Sequence, residues 1–434
     1  MGIIKFSLFM CGQLGIMLLA RFFFQWLIYF CNQPVDEKLT LLSVSLVGLI
    51  MLGFRVFDGV TDPIAGSLSD LWVKSGRERR RLLWYMAPLP AIGITLCFLP
   101  SVTDSELVRW IYLLSGMLLF FIGYTLYAIP YWSLVGDYAQ GDQQRRGKLS
   151  TLLGVGMLLA TTVGFILTPI MISKFGYLNS AITLALISIP LMIAPYFALP
   201  SSIDTQKSQP INNVHNNEDL GGFKGQFSAL LATIKHRHFL SVICLFAGSQ
   251  MSFTVMTAAA PFIACDLLGG QEKDVAFILG PLLFMAIPAS AFVPRLAKKL
   301  GWERSVALAC TGLGLVYFGS IGLGASIIHS PLVTAAILFS LGGPMVAILL
   351  GLEGEAITSC ASEVGGGVGM YFGVYNLIVK GANGIAFAIT SFIAANAKGD
   401  PWQVKLMGIA ASLMLLFGLC SYFFLRPKGN QSTA

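Results

Sequence analysis

Asp58 and Asp62 stand one helical turn apart near the end of an apolar stretch running from 39 to 66. Carboxylates are expensive inside a membrane span, so an intramembrane acidic pair marks a functional site by default. The i,i+4 spacing puts both on one helix face, where they can share a metal cation or a proton. That is reversible ion binding, with no covalent bond made or broken. Arg55 precedes the pair, Thr61 lies between its members, and Pro63 and Gly66 follow. Two further charges lie alone in apolar stretches: Arg21 in the first and Lys380 in the stretch 366–396. The pair therefore has two readings, a cation-coupling site or a structural lock with Arg55 and Lys380.

Membrane helices must position these groups. Of the 434 residues, 56% are hydrophobic and 11% charged, against about 25% charged in a typical soluble domain. Twelve apolar runs are long enough to cross a hydrocarbon core about 30 Å thick. They cover 6–30, 39–66, 83–101, 107–136, 149–173, 176–199, 239–264, 274–294, 305–328, 332–355, 366–396 and 403–425. The first run is too long for the apolar core of a cleaved signal and reads as a retained anchor. Most of the 28 Lys and Arg residues fall on one side of these spans, including the 74–81 loop, Lys298, Lys299 and Arg304. The positive-inside rule then places both termini in the cytoplasm. These loops explain the net charge of +7, so no nucleic-acid partner is expected.

The eight cysteines are scattered and the four histidines fall in loops or at helix edges, with no metal-site or disulfide spacing. No cofactor is expected. The longest polar stretch, 201–226, separates six spans from six, and 226–237 reads as a basic interfacial helix. This divides the chain into 1–200, a 201–237 linker and 238–434. The fold class is all-α integral membrane, with two pseudo-symmetric six-helix bundles and a solute site between them. After the second and eighth spans the halves echo one another: Gly66 and Asp70 lead to Gly76, Arg77 and Arg79, and Pro294 and Arg295 to Lys298, Lys299 and Gly301.

These residues carry a family resemblance. Gly66, Asp70 and the basic loop resemble the signature of the major facilitator superfamily. Asp58, Asp62, Pro63 and Gly66 followed by Gly76, Arg77 and Arg79 resemble the glycoside–pentoside–hexuronide:cation symporters, typified by the melibiose permease. Tyr29–Asn32, Ile129–Leu134 and Gly369–Lys380 agree with it. The resemblance implies cation coupling at Asp58 and Asp62, helped by Thr61 and Thr125, with Lys380 neutralising the pair when no coupling cation is bound. A fourth-span aspartate of the family is Ala128 here. Loss of one carboxylate weakens a hard-cation oxygen cage. It matters less for a proton, which a close carboxylate pair retains, so H⁺ is favoured over Na⁺.

On the solute side the resemblance fails. The first span lacks the family's aspartate, and near the start of the fifth the nearest basic group is Lys148. Arg21, Tyr131 and Trp132 are the candidate solute-binding residues, Arg21 being either a substrate-facing cation or a partner for Glu353 or Glu355. Asp70, Arg77, Arg79, Glu353 and Glu355 are the candidate gate residues, the two glutamates being placed near the inner end of the tenth span. The expected function is symport of a small organic solute, a sugar or glycoside, by a monomer in the bacterial inner membrane. Alternatives are a lysolipid or other amphiphile as solute, and a non-transporting receptor or scaffold. A membrane-enzyme reading as a CDP-alcohol phosphotransferase fails, because Arg55, Asp62, Pro63 and Lys74 replace residues that pattern needs.

Overall fold

Long helices dominate because backbone polar groups in a bilayer must be satisfied within the protein. A computed structural model of the chain describes residues 3–36, 39–139, 143–198, 233, 235–324, 330–364, 368–397 and 400–427. In chain order the helices are α1 (Ile3–Cys31), α2 (Val44–Lys74), α3 (Arg80–Met86), α4 (Pro88–Cys97), α5 (Glu106–Ala139) and α6 (Gln143–Ala198). Then come α7 (Arg237–Pro261), α8 (Ala276–Ser290), α9 (Val293–Leu300), α10 (Trp302–Gly319), α11 (Pro331–Val364), α12 (Val368–Ala397) and α13 (Pro401–Leu425). A π-helical turn, Phe262–Leu267, extends α7. Most of the expected linker and interfacial helix lies outside the described residues, as do His215 and His329.

Ten helices are long and apolar enough to cross a membrane. One of them, 147–198, is two spans in sequence, broken at Gly176, whose φ of 75° suits glycine alone. α3 and α4 join through Ala87, itself helical at φ −54° and ψ −38°, into one further span rich in proline. That makes the twelve spans read from the sequence. Large apolar side chains such as Leu186, Phe392 and Phe417 cover the outer surface, as a lipid boundary requires.

The two six-span bundles meet along related contacts. α2 of the first bundle packs on α12 of the second, and the first half of α6 packs on α8. Exchanging the halves exchanges these two contacts, which is the pseudo-two-fold relation. Glycines let the backbones close: a Cβ on Gly48 would lie 2.4 Å from Ser391 Cβ, and one on Gly384 3.0 Å from Leu52 Cα.

Two spans differ from the sequence expectation in ways that matter. α2 runs to Lys74 rather than 66, so the acidic pair lies well inside the helix. α11 runs to Val364 rather than 355, because the small and apolar residues Ala356, Ile357, Cys360 and Ala361 continue the helix. Glu353 and Glu355 are therefore about three turns from its end.

Within the first bundle, α4 and α5 touch backbone to backbone. A Cβ on Gly93 would lie 2.3 Å from Phe120 N, whereas Gly53 has open space around it. Gly93→Ala should cost about 1–3 kcal/mol through overpacking, seen as a lower unfolding temperature in detergent. Gly53→Ala should leave that temperature unchanged or slightly raised.

Candidate cation-coupling and solute site

The α2–α12 seam carries the acidic pair. Lys380 Nζ reaches Asp58 Oδ2 at 3.0 Å, Asp62 Oδ2 at 2.6 Å and the Asp58 carbonyl at 3.4 Å, which uses all three ammonium protons. Arg55 Nη1 donates to Asp58 Oδ2 at 3.0 Å, and Thr125 Oγ1 of α5 donates to Asp58 Oδ1 at 2.8 Å. Asp58 is fully buried with both oxygens engaged. Asp62 is 19% exposed, and its Oδ1 has no partner among the described residues. The pair thus divides into a saturated member and an open one.

Thr61 does not join this cluster, because its hydroxyl bonds the Asp58 carbonyl one turn back at 3.2 Å. Ala128 is buried and offers no oxygen. The oxygens gathered at the seam are four carboxylate atoms, the Asp58 carbonyl and the Thr125 hydroxyl.

The candidate solute residues separate. Trp132 Nε1 donates to Gln13 Oε1 at 2.9 Å, and Trp132 lines a cavity of about 470 Å³ with Asp70, Arg79, Asp137 and Ser150. Tyr131 is a correction. It is wholly buried against Phe9 and Tyr127, and its hydroxyl donates to the Phe9 carbonyl at 2.5 Å and accepts from Gln13 N. It holds α1 to α5 and presents no face to the cavity. Arg21 is partly buried, with Nε donating to Thr161 Oγ1 of α6 at 3.0 Å.

The glutamates are also corrected. Glu353 Oε2 accepts from Gln250 Nε2 of α7 at 3.0 Å, and Oε1 accepts from the Tyr375 hydroxyl of α12. It joins three helices of the second bundle, about three turns from the end of α11, and among the described residues neither glutamate pairs with Arg21. Glu355 lies exposed on the helix surface. Arg77 is exposed over the Trp72 ring at 4.6 Å.

Arg79 is the centre of the basic end. It reaches Asp70 Oδ1 at 2.6 Å and Asp137 Oδ2 at 2.9 Å. Glu78, buried beside it, takes Arg80 and Arg81 at 3.1 and 3.2 Å. In the second bundle, His238 Nδ1 meets Glu363 at 2.9 Å, with burial lowering the neighbouring His236 imidazole's affinity for a proton. Among the described residues, every ion pair at this end stays within one bundle. At the opposite end the bundles touch: Tyr29 donates to Asp266 Oδ1 at 3.2 Å and packs edge-on against Phe262 at 4.9 Å.

Sequence reasoning did not single out Asp137, Glu78, Gln250 or Tyr375. Asp137 and Glu78 were readable as acids facing a basic loop. Gln250 and Tyr375 carry no charge and are identified only by the glutamate they hold.

An all-helical membrane protein with two related bundles and an ion cluster at their seam has the architecture of a major facilitator transporter. A family profile described as MFS/sugar transport protein matches residues 8–425, and the chain belongs to that family. That family is one of membrane transporters rather than enzymes. An uncharacterized symporter of Bacillus subtilis (strain 168), YjmB, is 24% identical over 280 residues, covering 63% of this chain and 58% of that protein. A protein of Escherichia coli (strain K12) provisionally named glycoside/cation symporter YagG is 26% identical over 163 residues, 36% of this chain and 35% of its own. These matches thus span less than two thirds of the relatives' lengths. Among solved structures, a peptide transporter POT bound to alafosfalin superposes with a TM-score of 0.65 at 14% identity, covering 96% of this chain and 93% of that one. The nucleoside transporter NupG gives 0.64 at 13%, covering 97% and 100%. These structures share the fold.

Lys380→Met leaves Asp62 without its cation. Breaking a buried ion pair from one side costs about 3–5 kcal/mol, so the unfolding temperature should fall markedly. Adding Asp62→Asn removes the orphaned charge and should recover at least half of the loss. Strictly additive effects would show that the two side chains are not coupled.

Proposed function

We propose that the chain is a cation-coupled symporter of a small polar solute, a sugar or glycoside, working by alternating access between its two bundles. The observation that carries this reading is Lys380 Nζ, held 3.0 Å from Asp58 and 2.6 Å from Asp62 across the seam. An ammonium there does what a coupling cation would do, and the two compete for the same oxygens. The names of the symporter relatives support the same reading.

In this mechanism the form whose bundles touch through Tyr29, Asp266 and Phe262 is the unloaded, inward-facing one. The basic end is cytoplasmic, as the positive-inside rule requires. The halves 1–200 and 238–434 rock as units joined by the 201–237 linker, in a monomer of the bacterial inner membrane. In the outward-facing form a cation reaches Asp62, the member of the pair with an open oxygen, and displaces Lys380. The seam is then re-set, the solute binds more tightly, and the outer end closes. Coupling is reciprocal: each ligand strengthens the other's binding by the same factor. In the same scheme Asp70, 60% exposed while paired to Arg79, takes a partner from the second bundle when the basic end closes.

H⁺ is the favoured ion. Four carboxylate oxygens, the Asp58 carbonyl and one hydroxyl, with Thr61 turned away and the third carboxylate of the family replaced by Ala128, make a weakened cage for a hard cation. A proton needs only one oxygen of Asp62.

Proteoliposomes separate these possibilities. Uptake from a panel of labelled sugars and glycosides should accumulate solute under an inward proton gradient and not under a sodium gradient alone. Asp62→Asn should abolish accumulation by roughly 100-fold while leaving solute exchange measurable. Accumulation that persists in Asp62→Asn would remove the pair from coupling.

A further inference from the structure

A coupling site must face one side of the membrane at a time, because a cation that reaches it from both sides runs down its gradient without solute. The side of Asp58 and Asp62 away from the basic end therefore needs a barrier to water. Ion pairs do not build one. Among the described residues, the ion pairs that cross between the bundles are the two made by Lys380 itself.

Aromatic rings stand where the barrier is needed. Phe24 of α1 stacks on Phe387 of α12, with ring centres 5.2 Å apart and planes 18° from parallel. Phe387 is buried and Phe24 partly so. On α12, Phe387 lies about two turns and 10 Å beyond Lys380, on the side away from the basic end. At the same level Gly384 brings α12 against Leu52 and Arg55 of α2. Helices α1, α2 and α12 thus converge around the stack.

The stack is also braced. Arg55 Cζ lies 4.9 Å from the Phe24 ring centre, while its Nη1 donates to Asp58 Oδ2 at 3.0 Å. One guanidinium therefore touches both the ring and the buried carboxylate. Phe120 and Phe121 of α5 meet Phe24 at 6.3 and 6.2 Å, and Phe121 stacks in turn on Phe54 of α2 at 5.4 Å. Apolar constrictions of this kind stop ions by excluding water. Stacked rings also part without leaving a buried charge unpaired, unlike an ion pair.

We propose that Phe24 and Phe387 form the seal between the carboxylate pair and the outer side, and that they part when the bundles rock. This rests on the cation-coupling reading of Asp62 and adds the residues that keep the cation from slipping past it. Through Arg55, a change of charge at Asp58 reaches the seal directly.

The test is proton entry without any solute. Purified full-length protein is placed in vesicles of phosphatidylethanolamine and phosphatidylglycerol under a potassium diffusion potential, with a pH dye inside. Phe24→Ala with Phe387→Ala should admit protons roughly 10-fold or more faster than the unmodified protein. Phe387→Ala alone should show a smaller rise, and carries the test if the double variant does not fold. Adding Asp62→Asn should return the rate to that of the unmodified protein, because protons that pass the seal cross by way of Asp62. Phe387→Leu, which keeps a large apolar side chain, should stay tight. So should Phe392→Ala, which removes an exposed ring of the same helix.

Folded alanine variants as tight as the unmodified protein would overturn the seal, and leave symport to its own uptake assay. A leak that Asp62→Asn does not change, or one of equal size in Phe387→Leu or Phe392→Ala, would also overturn it. Radioactive sodium in the same vesicles separates the seal from the ion. Sodium efflux that needs both the missing rings and Asp62, without proton entry, would uphold the seal and remove H⁺ as the coupling ion.

Discussion

Two carboxylates buried in a membrane have to be neutralised, and the ammonium of Lys380 does so from the opposite bundle. It sits 2.6 Å from Asp62 and 3.0 Å from Asp58, while Arg55 and Thr125 complete the shell of Asp58. Charges in this setting lose several kcal/mol of hydration each, which their mutual attraction returns only at close range. The seam between α2 and α12 is held close by the same requirement. Gly48 and Gly384 allow the approach, since side chains there would strike Ser391 and Leu52. A cation that replaces Lys380 at Asp62 therefore changes both the charge and the strongest contact between the halves.

The remaining contacts are graded around that seam. At the end opposite the basic loops, Tyr29 donates to Asp266 and packs edge-on against Phe262, and α6 packs on the Glu272–Val275 turn of the second bundle. The polar part of this contact is small, a hydrogen bond of this kind being worth about 1 kcal/mol net. At the basic end the ion pairs keep to their own bundles: Arg79 ties α2 to α5, and Glu363 ties α11 to the start of α7. Each bundle can then move as a unit, its internal ties intact, while the surfaces between bundles exchange partners.

Charge and periodicity made much of this legible in the sequence. Asp58, Asp62 and Lys380 stood out as lone charges in apolar runs, and a single physical demand, neutralisation, brings them together. The twelve spans were visible because apolar runs are long and most polar breaks short. Other features depended on packing that spacing does not encode. Tyr131 and Trp132 are adjacent, yet one is sealed between α1 and α5 and the other reaches the cavity. Thr61 sits beside two carboxylates in sequence, yet turns to its own backbone. Glu353 seemed close to a helix end because the apolar run stopped there, while small residues carried α11 three turns further. Arg21 was readable as a buried cation, but only the structure shows that no glutamate answers it.

Infrared difference spectroscopy of the purified protein between alkaline and acidic solution reports directly whether the carboxylate pair exchanges Lys380 for a proton. The expected result is a protonated-carboxyl band that appears on acidification in the unmodified protein and is lost in Asp62→Asn, with Glu353→Gln leaving that band in place. A band that Asp62→Asn leaves unchanged would mean that the pair at the seam keeps its lysine throughout, as a structural lock.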